Sequence, residues 1–228
     1  MAKYTAIVLS AGKGSRMGSS VHKQYLLLCG RPVIYYTLKA FEESPVDEIV
    51  LVTGEGEEEY CRKEIVEKYK LHKVTKIVKG GKERYHSVFQ GLSACEYTDY
   101  VLIHDGARPF IEQKVIRRTM DEVREKRACI AAVPVKDTIK KVDENGKVED
   151  TPPRKSLYTV QTPQAFSYSL IYDSYQKMIA DGREDVTDDA MVVEQETGTK
   201  ILLVEGSYQN IKITTPEDLA IAEAFLRY

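Results

Sequence analysis

The chain has 228 residues, enough for one domain with a substantial buried core. Its 33 Lys and Arg nearly balance 35 Asp and Glu, leaving a net charge of −2, which excludes a general nucleic-acid or membrane-surface binder; any cationic site must be a local concentration of charge in a cleft. Cys29, Cys61, Cys95 and Cys129 form no C-x-x-C pair, and no apolar run approaches the roughly 20 residues of a membrane span, so the composition argues against a zinc site, a disulfide framework or a membrane protein and for reduced thiols in the cytoplasm.

The first predicted strand, Tyr4–Leu9, runs into Ser10-Ala11-Gly12-Lys13-Gly14-Ser15-Arg16-Met17-Gly18, with Lys23 a few residues on. Glycines let backbone N–H groups approach an anion, and Arg and Lys neutralise it, so this loop is suited to phosphate. It does not fit G-x-x-x-x-G-K-[ST]. It also misses the dinucleotide fingerprint, because Met17 stands at the third glycine position of G-x-G-x-x-G.

Helical periodicity over Val33–Glu43 is followed by a strand at Glu48–Thr53, a helix at Glu57–Tyr69, a strand at Lys73–Val78 and a helix at Arg84–Ala94. The strand Tyr100–His104 leads to His104-Asp105-Gly106-Ala107-Arg108-Pro109, then to a helix at Lys114–Lys126 and a strand at Cys129–Val133. Helices at Tyr168–Ala180 and Asp188–Glu196, a strand at Lys200–Val204 and a last helix at Pro216–Tyr228 complete the chain. This alternation predicts an α/β fold, a Rossmann-like, mostly parallel twisted sheet with helices on both faces, spanning 1–228 as a single domain. Ligands of such sheets sit beyond the carboxyl ends of the strands. Residues 137–154 break the pattern: Asn145-Gly146 between β-prone runs predicts a projecting β-hairpin arm, either solvent-exposed or gripping another subunit.

Taken together, these blocks resemble the 2-C-methyl-D-erythritol 4-phosphate cytidylyltransferases over essentially the whole length. The residues that carry the resemblance are Ala11–Met17 with Lys23-Gln24-Tyr25, Gly80-Gly81-Lys82-Glu83-Arg84 with Ser87-Val88, and His104-Asp105-Gly106-Ala107-Arg108-Pro109. Val133–Thr138, Gln161–Phe166, Thr187-Asp188-Asp189-Ala190 and Asn210–Leu219 add to it. The resemblance implies transfer of the cytidylyl group of CTP to a sugar-alcohol phosphate, with Mg²⁺ or another divalent cation, by a homodimer whose arm helps complete the partner's site.

It further implies roles residue by residue. Arg16, Lys23 and Lys212 are the expected catalytic cations. Ala11, Gly12, Gly14, Gly81, Lys82, Ser87, Asp105 and Gly106 are expected to bind the nucleotide. Arg108, Thr138, Arg154, Thr162 and Thr187, with Asp105 and Lys212, are expected to bind the acceptor. Asp105 is the expected metal carboxylate, since Mg²⁺ is usually held by one or two carboxylates plus phosphates and water; an Asp after a strand also suits a helix N-cap. His104 is read as structural. Gln209 stands where an acidic residue often precedes Asn210, which shifts weight onto Asp105.

Rivals are few. Ribitol-5-phosphate cytidylyltransferases share the loop and the arm. A nucleotide-sugar glycosyltransferase would commonly carry Asp-x-Asp, and this chain has no such triplet. A non-catalytic module would have no need of Arg16, Lys23, Asp105 and Lys212 together.

Overall fold

A computed structural model of the chain describes residues 2–12 and 22–227. Seven strands form one sheet in the order β11-β7-β10-β6-β1-β4-β5. They are β1 (Tyr4–Ser10), β4 (Glu48–Thr53), β5 (Val74–Lys79), β6 (Tyr100–Asp105), β7 (Ala128–Pro134), β10 (Tyr158–Ser167) and β11 (Leu202–Glu205). Two small hairpins stand apart from it: β2 (Leu27–Leu28) with β3 (Arg31–Pro32), and β8 (Lys141–Val142) with β9 (Val148–Asp150). All neighbouring pairs of the large sheet are parallel except those made by β10, which is antiparallel to both β6 and β7.

The alternation of side chains along each strand divides the core into two layers. Ala6, Val8, Ile49, Leu51 and Leu102 face one side, where they pack under α1 (Val33–Glu42), the π-helical turn Cys61–Glu67 that continues the short α2 (Glu58–Tyr60), and α4 (Gln113–Lys126). Ile7, Val50, Val52, Val101 and Ile103 face the other, under α3 (Arg84–Ala94), α5 (Tyr168–Ala180) and α6 (Asp189–Thr197). The last helix, α7 (Pro216–Arg227), closes a third, smaller cluster through Ala222, Ile213, Leu28 and Val33. Among the described residues no helix is long and apolar enough to cross a membrane.

The six expected strands and seven expected helical segments are present, with ends moved by a residue or two. The exception is the segment expected as one helix over Glu57–Tyr69, which is α2 plus a π-helical turn. A whole central strand, β10, has no counterpart in the expectations. Pro163 lies inside it, and a proline cannot donate to a ladder. The structure accommodates it with an irregularity: Val160 pairs with Ala132 and Gln164 with Ile130, so Gln161, Thr162 and Pro163 bulge opposite Ala131 alone. The arm hairpin forms at 141–150 as its Asn-Gly signal predicts, with Gly146 at φ 77°. All four cysteines are free, and three are buried.

Candidate active site

Four adjacent parallel strands, β6, β1, β4 and β5, end on the same edge of the sheet. Beyond their carboxyl ends lies a cleft of about 1100 Å³. Ala11 and Gly12 enter it from β1, Gly80 and Gly81 from β5, and Asp105 from β6; Lys82, Arg84 and Ser87 come from the start of α3, Lys23 from a short 3₁₀ turn and Lys212 from a loop.

The glycines of this region answer to close packing. A Cβ on Gly81 would overlap His86 Cβ, so the backbone there lies directly on the first turn of α3. The Gly81 N–H donates to Ser87 Oγ at 3.1 Å, and Ser87, almost fully buried, thereby fixes the glycine loop from within the helix. A Cβ on Gly106 would meet Ile34 Cδ1 at 2.6 Å and the Leu9 carbonyl at 2.8 Å. Gly106 therefore acts behind the cleft, where it allows β6 to turn tightly against β1.

Asp105 is the electrostatic centre. Its Oδ2 receives Lys212 Nζ at 3.0 Å and Arg108 Nε at 3.2 Å, while Arg84 Nε lies 3.7 Å from Oδ1. Burial alone would raise this carboxyl's pKa; the Lys212, Arg84 and Arg108 charges outweigh it and hold the group far below the usual carboxylate range. Asp105 is thus ionised near neutral pH.

The surrounding hydrogen bonds explain why those charges converge. The Asp105 N–H donates to Thr162 Oγ1 at 3.1 Å, and that hydroxyl also bonds His104 Nδ1 at 3.0 Å. His104 Nε2 reaches the Arg108 carbonyl at 3.3 Å. Burial pushes the His104 imidazole down to about 4, so it is neutral near pH 7. One assignment satisfies every partner: Nε2–H donates to Arg108, and Nδ1 accepts from the Thr162 hydroxyl. His104 is fully buried, and both ring nitrogens are committed to these bonds. Thr162, supplied by the β10 bulge, has its hydroxyl committed to this chain of bonds and does not line the cleft.

Arg108 also turns inward. Its Nη1 donates to the Asn210 carbonyl at 2.8 Å, while Asn210 Nδ2 donates to the Thr162 carbonyl at 2.8 Å and the Ile213 N–H to the Ala107 carbonyl at 2.8 Å. The loop that carries Lys212 is therefore sewn to the end of β6 and to the bulge of β10. The Asn210 carbonyl is engaged by a guanidinium.

Arg84, quoted in the sequence blocks without a role, joins the two sides of the site. Its guanidinium grips the fully buried Asp189 through two bonds of 2.8 and 2.7 Å, and Tyr175 donates to the same carboxylate at 2.6 Å. Gln164 bridges the Asp188 carboxylate and the Ala190 N–H, each at 2.9 Å. Asp188, Asp189 and Ala190 are thus tied to Arg84 and to β10, and they support that side of the cleft.

Of the expected site residues, Ala11, Gly12, Lys23, Gly81, Lys82, Ser87, Asp105 and Lys212 line one cleft. Gly106, Arg108 and Thr162 lie immediately behind it. Thr138, Arg154 and Thr187 are exposed and outside its lining; Arg154 Nη1 donates to the Lys136 carbonyl at 2.9 Å, at the root of the arm. Gly14 and Arg16 lie outside the described residues.

Among the described residues no three His, Cys, Asp or Glu side chains cluster as a metal site. The donor set fits a divalent ion held in the manner usual for Mg²⁺, by one carboxylate plus substrate phosphates and water. Asp105 Oδ1, with Arg84 no nearer than 3.7 Å, is the oxygen available for it.

Residues 4–228 match the family model of 2-C-methyl-D-erythritol 4-phosphate cytidylyltransferase. The enzyme of that name from Lachnoclostridium phytofermentans is 52% identical over 227 residues, covering 100% of this chain and 97% of the relative; that from Clostridium novyi is 49% identical, covering 99% and 97%. The crystal structure of 4-diphosphocytidyl-2C-methyl-D-erythritol synthase from Anaerococcus prevotii superposes with a TM-score of 0.89 at 37% identity, covering 100% of this chain and 97% of that one. The Thermus thermophilus cytidylyltransferase does so with a TM-score of 0.80 at 30% identity, covering 97% and 98%. With residues 4–228 matched by the family model and curated relatives about half identical over nearly their full length, the chain belongs to the 2-C-methyl-D-erythritol 4-phosphate cytidylyltransferase family.

Proposed function

We propose that this chain transfers the cytidylyl group of CTP to 2-C-methyl-D-erythritol 4-phosphate, giving 4-diphosphocytidyl-2-C-methyl-D-erythritol and pyrophosphate for isoprenoid precursor synthesis. The observation that carries the reading is the convergence of Lys23, Lys212 and the Gly81–Ser87 loop on one cleft at the carboxyl ends of β6, β1, β4 and β5.

The chemistry follows from charge. The nucleophile is a phosphate monoester oxygen, and its second pKa near 6 leaves it ionised at neutral pH. No general base is required. The barrier lies in bringing one polyanion against another, so positioning and preorganised cations supply most of the rate. Lys23 and Lys212 neutralise the triphosphate and the charge that builds at the α-phosphorus, joined by Arg16. Gly81 and Ser87 shape the base and ribose pocket, and Lys82 adds charge at its rim. A divalent ion held by Asp105 and the phosphates supplies further charge neutralisation when bound. Asp105 also fixes Lys212, and Arg108 with Thr162 fixes Asp105.

The acceptor site is completed by a second copy of the chain. Thr138 and Arg154 lie at the arm, away from the cleft of their own chain, and the arm exposes the apolar side chains Ile139, Val142 and Val148. A dimer that buries this face brings Thr138 and Arg154 to the partner's cleft, opposite Thr187. Removing residues 138–150 is expected to halve the solution mass; an unchanged mass would remove the arm from assembly. Arg154→Ala is expected to raise KM for the sugar phosphate severalfold with little change for CTP, and equal damage to both constants would count against this placement.

A pyrophosphate-release assay with CTP tests the activity. Mg²⁺-dependent release with 2-C-methyl-D-erythritol 4-phosphate is the expected result. Release with ribitol 5-phosphate alone would replace the proposed acceptor.

A further inference from the structure

Lys23 sits in a three-residue 3₁₀ turn, Lys23–Tyr25, and each of its flanking residues is tied down by a side chain. Gln24, buried, donates from Nε2 to the Ser10 carbonyl at the end of β1 at 2.6 Å. Tyr25 donates its hydroxyl to Glu57 Oε2 at 2.8 Å and lies 3.1 Å from Cys61 Sγ. On the other side of Lys23, His22 Nδ1 lies against the second oxygen, Glu57 Oε1, without the angular geometry of a directed hydrogen bond. Glu57 is itself held, because the Gly54 N–H at the end of β4 donates to Oε2 at 2.9 Å. The Tyr25 ring packs edge-on against Tyr60 at 5.1 Å and near-parallel to His22 at 6.4 Å. Burial, followed by the neighbouring Cys61 and Glu57, raises the Tyr25 pKa far above its ordinary value, so the phenol remains a donor across the physiological range.

We propose that Glu57 is a positioning residue for Lys23: one carboxylate, anchored to the end of β4, holds the residues on both sides of the lysine and so sets where its ammonium meets the nucleotide phosphates. Glu57 does not line the cleft and acts through the turn that it grips. The inference rests on the reading that Lys23 acts on the triphosphate. A lysine on a flexible stem contributes most when its backbone is fixed before the substrate arrives, since misplacement by about 1 Å can cost about 100-fold in rate. The Glu57 clamp supplies that fixing on either side of Lys23.

A double-mutant cycle separates this role from general support of the fold. Glu57→Gln keeps the side-chain shape and removes the charge; Tyr25→Phe removes only the hydroxyl. Each is made in the full chain, alone and together with Lys23→Ala, and kcat for pyrophosphate release and the Kd for CTP are measured on protein shown to be folded by its thermal transition. Glu57→Gln is expected to lower kcat about tenfold when Lys23 is present and less than about twofold when it is absent, with Tyr25→Phe following the same pattern more weakly. Should Glu57→Gln fail to fold, the Tyr25→Phe cycle gives the same comparison. Losses of equal size in both backgrounds, or unchanged kcat with Lys23 present, would overturn the proposal. A Lys23→Ala variant with normal kcat would remove its premise and the mechanistic role of Lys23 together, and is distinguishable because it appears in the single variant.

Discussion

Replacing Lys23 by alanine is expected to reduce kcat by at least about 100-fold, the scale of losing one preorganised donor to a developing charge. Negative charge rises on the α-phosphate as the attacking oxygen arrives, and it is in this step that a fixed ammonium contributes more than it does to ground-state binding. KM for CTP should therefore change much less than kcat. Lys23→Arg should recover only part of the rate, because a planar guanidinium keeps the charge and places its donors differently. Steady-state kinetics of the two variants check this, and a near-normal kcat for Lys23→Ala would take the residue out of the mechanism.

A comparable loss is expected for Asp105→Asn, for a different reason. The carboxylate gathers Lys212, Arg108 and Arg84 around one point, with Lys212 only 3.0 Å away. Without its charge, Lys212 loses its anchor and repels Arg108, and the oxygen that suits a divalent ion is neutral. Turnover should fall at least about 100-fold. Stability should fall as well. Breaking a buried pair costs about 3–5 kcal/mol, and the third of their side chains that Lys212 and Arg84 expose reduces this to about 1–3 kcal/mol. Arg84 retains its bidentate bond to Asp189, which further limits the loss. Denaturant unfolding and kcat measured on the same sample give both numbers. A variant with unchanged stability and turnover would show that Asp105 does not organise the site.

The strands that carry the site were legible because their apolar runs are short, bounded by turns and separated by amphipathic helices. Ala11, Gly81, Lys82, Asp105 and Lys212 were legible as candidates because each falls within a recognisable block at the end of a strand or in a loop. What those blocks do not carry is the pairing of distant side chains. Arg84 meets Asp189 across 105 positions and Tyr25 meets Glu57 across 32, and no local spacing encodes such contacts. The inward turn of Arg108 was hidden for the same reason: its partner carbonyl, at Asn210, is 102 residues away. β10 escaped because Pro163 argues against a central strand by every local rule. Its bulge, which makes that proline tolerable, also aims Thr162 at the backbone of Asp105. The strand's irregularity and the site's order thus have one origin.

The central claim is that cations at one edge of the sheet let two mutually repelling phosphates meet. A crystal structure with a non-hydrolysable CTP analogue tests it most directly. The expected result places α-phosphate oxygens within hydrogen-bond reach of both Lys23 Nζ and Lys212 Nζ, with the base against the Gly80–Ser87 loop. A triphosphate bound elsewhere, or one that touches neither lysine, would contradict it.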